Sequence, residues 1–115
     1  MKVHILVGAL ALMIGKMVLA QNQIAGAGNT SCGKYVEFRT VKADMLETMI
    51  LSWSQGFLSA LNLVISTSNN RKPFMLPDPP SIMLFLDKYC RDNPLKIILD
   101  GNVELYAEIK ANNGY

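Results

Sequence analysis

Histidine is almost missing from this 115-residue chain, and the single one, His4, sits in an apolar N-terminal stretch. If that stretch is removed on export, no imidazole remains for proton transfer, nucleophile activation or metal ligation. Cysteine is limited to Cys32 and Cys90, a pair without the CxxC spacing of redox or zinc motifs. Lys and Arg never cluster, which argues against a surface that tracks phosphates and so against nucleic-acid binding. The most unusual gap is in charge: no Asp, Glu, Lys or Arg occurs between Glu47 and Arg71. With no constellation that assigns Ser, Asp, Glu or Lys a catalytic role, the chain reads as non-enzymatic, with no cofactor and no metal site.

What is present begins with an export signal. Lys2 and His4 give a basic start, Ile5 to Gly15 is an almost unbroken apolar run, and Val18-Leu19-Ala20 supplies small residues for cleavage. Residues 1–20 are therefore read as a signal peptide; Lys16 interrupts the run, which stays well short of the roughly twenty residues that span a bilayer. The alternative is an uncleaved anchor. Loss of Lys2 and Lys16 with the signal leaves nine basic against nine acidic residues, a formally neutral chain destined for the periplasm or secretion. In such a compartment two cysteines read as one disulfide, Cys32–Cys90. Closing that loop stabilises by about 4 kcal/mol in the chain-entropy model. Two free thiols are the competing reading, but only Lys34 and Arg91 lie near them in sequence to activate a thiolate.

Residues 21–30 are small and polar and read as a flexible leader, with the domain occupying 31–115. Thr30 or Ser31 can cap a short helix carrying Tyr35 and Phe38. Asp44 and Glu47 form a capping-box-like start to a long helix. On it Leu46, Met49, Ile50, Trp53, Phe57, Ala60, Leu61 and Val64 share one face, flanked by Leu51, Leu58 and Ile65, a broad surface suited to burial from two sides. A polar stripe of Thr48, Ser52, Gln55, Ser59 and Ser66, joined by Ser54 and Asn62, argues against a membrane span in the mature chain. Small uncharged side chains also allow another helix to approach closely, so Thr48, Ser52, Gln55 and Ser59 are the candidate partner face, for a protein partner or a second copy of the chain. A solvated face that happens to lack charge is the plainer alternative.

The stretch 66–80 is loaded with turn residues and prolines, and its apolar Phe74-Met75-Leu76 reads as a loop anchor folded onto the core. Asp78 before Pro79 and Pro80 caps a third helix, with Ile82, Phe85, Leu86 and Tyr89 inward and Asp87 paired with Arg91 outside. Asn93-Pro94 ends it and opens the last helix, where Leu95, Ile98, Leu99, Leu105, Tyr106 and Ile109 align with Asn102. Asn102 is expected either to bond to another helix's backbone or to be exposed by a bend at Gly101. Glu104 and Glu108 share a solvated outer face. The expected fold is all-α, a small bundle of about four helices closed by one disulfide, with Trp53, Phe57, Phe85, Tyr89, Leu99 and Tyr106 as core residues.

The segments Ser31-Cys32-Gly33-Lys34-Tyr35, Trp53-Ser54-Gln55-Gly56-Phe57 and Tyr89-Cys90-Arg91-Asp92-Asn93-Pro94 resemble the HdeA/HdeB family of small periplasmic proteins. That resemblance, over residues 31 to about 109, implies a disulfide-linked helical fold and an acid-stress chaperone that opens at low pH to hold unfolding client proteins. Acidification would neutralise the carboxylates and leave a strongly cationic, self-repelling domain. A second resemblance, in Leu76-Pro77, the helix to Tyr89 and the Asn93-Pro94 break, is to the Rap1a/Tai immunity proteins, and implies tight binding of one delivered toxin near neutrality. Those proteins usually carry additional cysteines that are missing here.

Overall fold

The computed structural model describes residues 24–115, so the expected signal peptide lies outside the described residues. Among these residues the chain folds into four α-helices, α1 (Cys32–Thr40), α2 (Asp44–Ser68), α3 (Pro79–Asp92) and α4 (Ile98–Asn112), preceded by a 3-10 turn at Gly26–Asn29. The fold is all-α, and its disulfide joins Cys32 to Cys90.

Local chemistry explains where each helix begins. Ser31 caps α1 by accepting from the Lys34 amide at 3.2 Å, and Asp78 caps α3 by accepting from the Ser81 amide at 2.9 Å, with prolines in the first turn where no amide hydrogen is needed. The start of α2 differs from the capping box expected there. Lys42 takes a left-handed φ of 51°, which reverses the chain after α1 and makes Ala43 the residue ahead of the helix, with no side-chain cap. Asp44 and Glu47 are thus already helical, and Glu47 turns to Arg39. The last helix also starts later than expected: Asp100 accepts from the Ile97 amide at 3.1 Å, residues 93–97 form a connector, and Leu95 is 97% exposed rather than inward.

One corner ties three helices together. The disulfide links the first residue of α1 to the last turn of α3, with Cα atoms 4.7 Å apart. Beside it, the Cys32 amide donates to the Lys96 carbonyl at 2.8 Å and the Ile98 amide to the Thr30 carbonyl at 2.9 Å, a single antiparallel bridge that brings in the start of α4. Above this corner lies the core, whose fully buried members include Tyr35, Ile50, Leu58, Ile82, Leu86 and Ile98. Of the residues expected at its centre, Tyr106 is buried, while Trp53, Phe57, Phe85, Tyr89 and Leu99 are half-buried at its margin. The cause for Trp53 and Phe57 is the rotation of α2 described below.

Part of the stretch read as a flexible leader is docked. The Trp53 indole donates to the Ala25 carbonyl at 3.1 Å, and the ring lies so close over Gly28 that a Cβ there would overlap it. In the loop between α2 and α3, Phe74 and Leu76 pack against the core as the anchor reading expects, whereas Met75 points to solvent.

Candidate functional site

The buried residues of α2 are Ile50, Ser54, Leu58, Asn62 and Ser66, spaced four apart. Relative to the face chosen from apolar spacing, the helix is turned by roughly a third of a revolution. Polar side chains therefore enter the core, where Ser54 and Asn62 meet partners from other elements. Asn62 holds the α2–α3 loop as a neighbouring strand would: its Nδ2 donates to the Phe74 carbonyl at 2.8 Å and its Oδ1 accepts from the Phe74 amide at 3.0 Å. The same Oδ1 accepts from the Tyr106 hydroxyl at 3.2 Å. Asn102 is fully buried and donates to the Ser54 hydroxyl at 2.9 Å and to the Ile98 carbonyl, one turn back, at 3.0 Å. It thus meets neither expectation, bonding to a side chain of α2 and to the backbone of its own helix. Ser66 returns its hydroxyl to the Leu63 carbonyl.

The same rotation brings apolar side chains to the outside. Met45 is 77% exposed, Met49 53%, Leu63 58% and Val64 63%. Between them the Trp53 and Phe57 rings stack with centroids 5.3 Å apart and planes 7° from parallel, forming with Ser52 and Gly56 the walls of a shallow notch. Thr48, Ser52, Gln55 and Ser59 are all exposed and lie alongside this apolar strip. By length and composition α2 could cross a membrane, with a mean hydropathy of 1.3 over its most apolar window, and only 22% of that window is buried in the fold.

At the N-terminal end of α2 a polar cluster clasps three helices. Arg39 of α1 donates to both carboxylate oxygens of Asp87 on α3, at 2.8 and 2.9 Å, and to Glu47 of α2 at 2.7 Å. The buried Tyr35 hydroxyl donates to Asp87 at 2.8 Å. Asp87 thus points inward to α1 rather than outward to Arg91, and the pair on the outside of α3 is Lys88–Asp92 at 2.7 Å. Burial by itself would raise the Asp87 pKa, but hydrogen bonds from Arg39 and Tyr35 overcome it and hold the carboxyl below its ordinary range. Burial first, then the hydrogen bond to Asp87, pushes the Tyr35 phenol well above its usual value. Every group in the clasp is engaged with another, which suits a structural tie better than acid-base work.

Elsewhere, Glu104 and Glu108 are exposed and line a groove with Phe85 and Tyr89. No group of three or more metal-ligating side chains occurs among the described residues. No family model, curated protein or solved structure matches this chain. The outward strip of α2 was missed by periodicity because the strip and the buried line are both at helical spacing. The one signal that could have found it is the pair of polar side chains at 54 and 62, eight apart, whose partners come from other elements.

Proposed function

We propose that this chain is an exported, non-enzymatic protein-binding domain that holds unfolding client proteins under acid stress, with the outward strip of α2 as its contact surface. One observation carries the reading: over the charge-free stretch between Glu47 and Arg71, α2 turns apolar side chains out of a folded, disulfide-closed domain. Such a strip can bind apolar segments of many sequences, and methionines at 45 and 49 adapt their shape to different clients. The clasp around Asp87 supplies an acid-sensitive element, because its stabilisation depends on an ionised carboxylate. The resemblance to HdeA/HdeB proteins points in the same direction.

A dedicated partner bound near neutrality, as for an immunity protein, is favoured by a different fact. The strip is already exposed in the folded domain, with no opening required.

Aggregation of an acid-sensitive client, followed by light scattering with the purified mature protein at pH 2–4 and at pH 7, separates the two. Protection confined to acid supports client holding, and loss of that protection in Met49→Arg and Leu63→Arg variants places it on α2. No protection at either pH overturns the chaperone reading and moves the assignment to a single partner, sought by pull-down at neutral pH.

A further inference from the structure

Past α4 the chain turns back on itself. Gly114, at a left-handed φ of 81°, reverses two amides onto the last turn: Gly114 donates to the Ala111 carbonyl and Tyr115 to the Lys110 carbonyl, both at 3.1 Å. This closure satisfies carbonyls that a helix end leaves open, and here it also aims Tyr115 at another element. The rings of Tyr115 and Phe74 pack edge to face with centroids 5.3 Å apart. The Arg71 guanidinium lies over both, 3.5 Å from the Phe74 centroid and 4.9 Å from that of Tyr115, where a cation is attracted to the ring faces. Phe74 is the residue whose backbone Asn62 holds from within. Tyr115 thus latches the α2–α3 loop from the outside.

The residue on which this turn pivots is the exposed Asn113, and Asn113-Gly114 is the one Asn-Gly pair in the sequence. Glycine puts no side chain beside its own backbone nitrogen, so that nitrogen can approach the neighbouring side-chain carbonyl closely. In the closed latch both reacting groups are engaged: the Asn113 side-chain amide donates to the Ile109 carbonyl at 2.8 Å, and the Gly114 N–H is held by Ala111. We propose that Asn113-Gly114 is a spontaneous deamidation site that reacts from the unlatched state and, once reacted, keeps the latch open. The Gly114 nitrogen bonds to Asn113 Cγ and gives up its proton to solvent, while the side-chain nitrogen leaves as ammonia. Water then opens the resulting imide at either carbonyl, giving aspartate or isoaspartate. The imide has no N–H at Gly114 to donate to Ala111. Isoaspartate routes the main chain through Cβ and Cγ, which moves the Gly114 and Tyr115 amides out of register with their carbonyls. Either acid also sets a negative charge at the negative end of the α4 dipole and removes the donor to Ile109.

The test stores the purified protein in mildly alkaline buffer, folded and in parallel denatured, and follows conversion at each asparagine by peptide mapping with mass spectrometry. Asn113 should convert ahead of every other asparagine, and on the order of tenfold faster in the denatured chain, where the protecting hydrogen bonds are gone. Tyr115→Ala removes the ring contact but keeps the Asn-Gly pair, and should bring the folded rate toward the denatured one. In the aged protein, deuterium uptake should rise at the Arg71 and Phe74 amides of the latched loop, whose acceptors are the Ser66 carbonyl and Asn62 Oδ1. Asn113→Gln, stored in the same way, should keep the uptake of fresh protein. Another asparagine converting first, equal rates in folded and denatured chains, an unchanged rate in Tyr115→Ala, or isoaspartate at 113 with no added uptake in the loop overturns the proposal.

Discussion

The two sides of α2 invert the usual relation between polarity and burial. Inside, Ser54, Asn62 and Ser66 share the buried line with Ile50 and Leu58; outside, Met45, Met49, Leu63 and Val64 face solvent. A polar side chain enters the core at little cost when another element delivers a partner for each of its hydrogen-bonding groups. Asn62 meets this condition with the backbone of Phe74 and the hydroxyl of Tyr106. Apolar groups left outside gain no such compensation among the described residues.

The strongest way to break this comparison is to remove the frame that holds α2 in its rotation. Replacing Cys32 and Cys90 with Ser should lower stability by about 4 kcal/mol in denaturant unfolding, and an unchanged midpoint would mean that the helices alone set the packing. Within α2, Leu58→Ala should cost about 3 kcal/mol as a buried truncation. Leu63→Ala should stay within about 0.5 kcal/mol at the same chemistry, provided the monomer is measured. Equal losses at both positions would show that the buried and outward lines are wrongly assigned. Asn62→Ala should cost about 2 kcal/mol, because it strands the amide and carbonyl of Phe74, whereas Gln55→Ala should have almost no effect.

The clasp can be tested through pH. Asp87 has its folded pKa depressed, so its stabilisation is full above the unfolded value of about 3.9 and is lost as pH falls through the folded value. Melting temperature should therefore drop on acidification below that unfolded value, with a shallower drop in Asp87→Asn than in the wild type. The groups facing this carboxyl are Tyr35 and Arg39 on α1, with Arg91 on its own helix, and Arg39 also holds Glu47 on α2. Parallel acid profiles for variant and wild type would remove Asp87 from the acid response.

The effects of two glycine substitutions should have opposite signs. Gly56→Ala should stabilise the monomer by about 1 kcal/mol through helix propensity. Gly101→Ala should destabilise by about 1–3 kcal/mol, since its Cβ must displace Leu86 or Tyr89 in a packed region. Two losses would place an unrecognised neighbour against Gly56.

Much of the architecture was readable from residue types with short-range roles. Ser31 and Asp78 act as caps, Pro79 sits in a first helical turn, Phe74 and Leu76 anchor the loop, and Cys32 and Cys90 form the disulfide. Each of these depends on a few neighbouring residues or on a simple pairing. The start of α2 was not readable, because the positive φ at Lys42, a residue without special preference for it, decides where the helix begins. The partner of Asp87 was also hidden: Arg91 is near in sequence, but Arg39 arrives from another helix and makes the better bidentate pair.

By itself, the amino-acid sequence determined the helices, their approximate ends, the covalent tie and the charge-free stretch of α2, since propensity, capping and composition act locally. Tertiary structure alone decided which side of α2 is buried. On a helix with apolar groups around most of its circumference, the hydrophobic effect is nearly indifferent to rotation. The choice then falls to directional hydrogen bonds, from Asn102 to Ser54 and between Asn62 and Phe74, whose donors and acceptors come together only when distant parts of the chain have met.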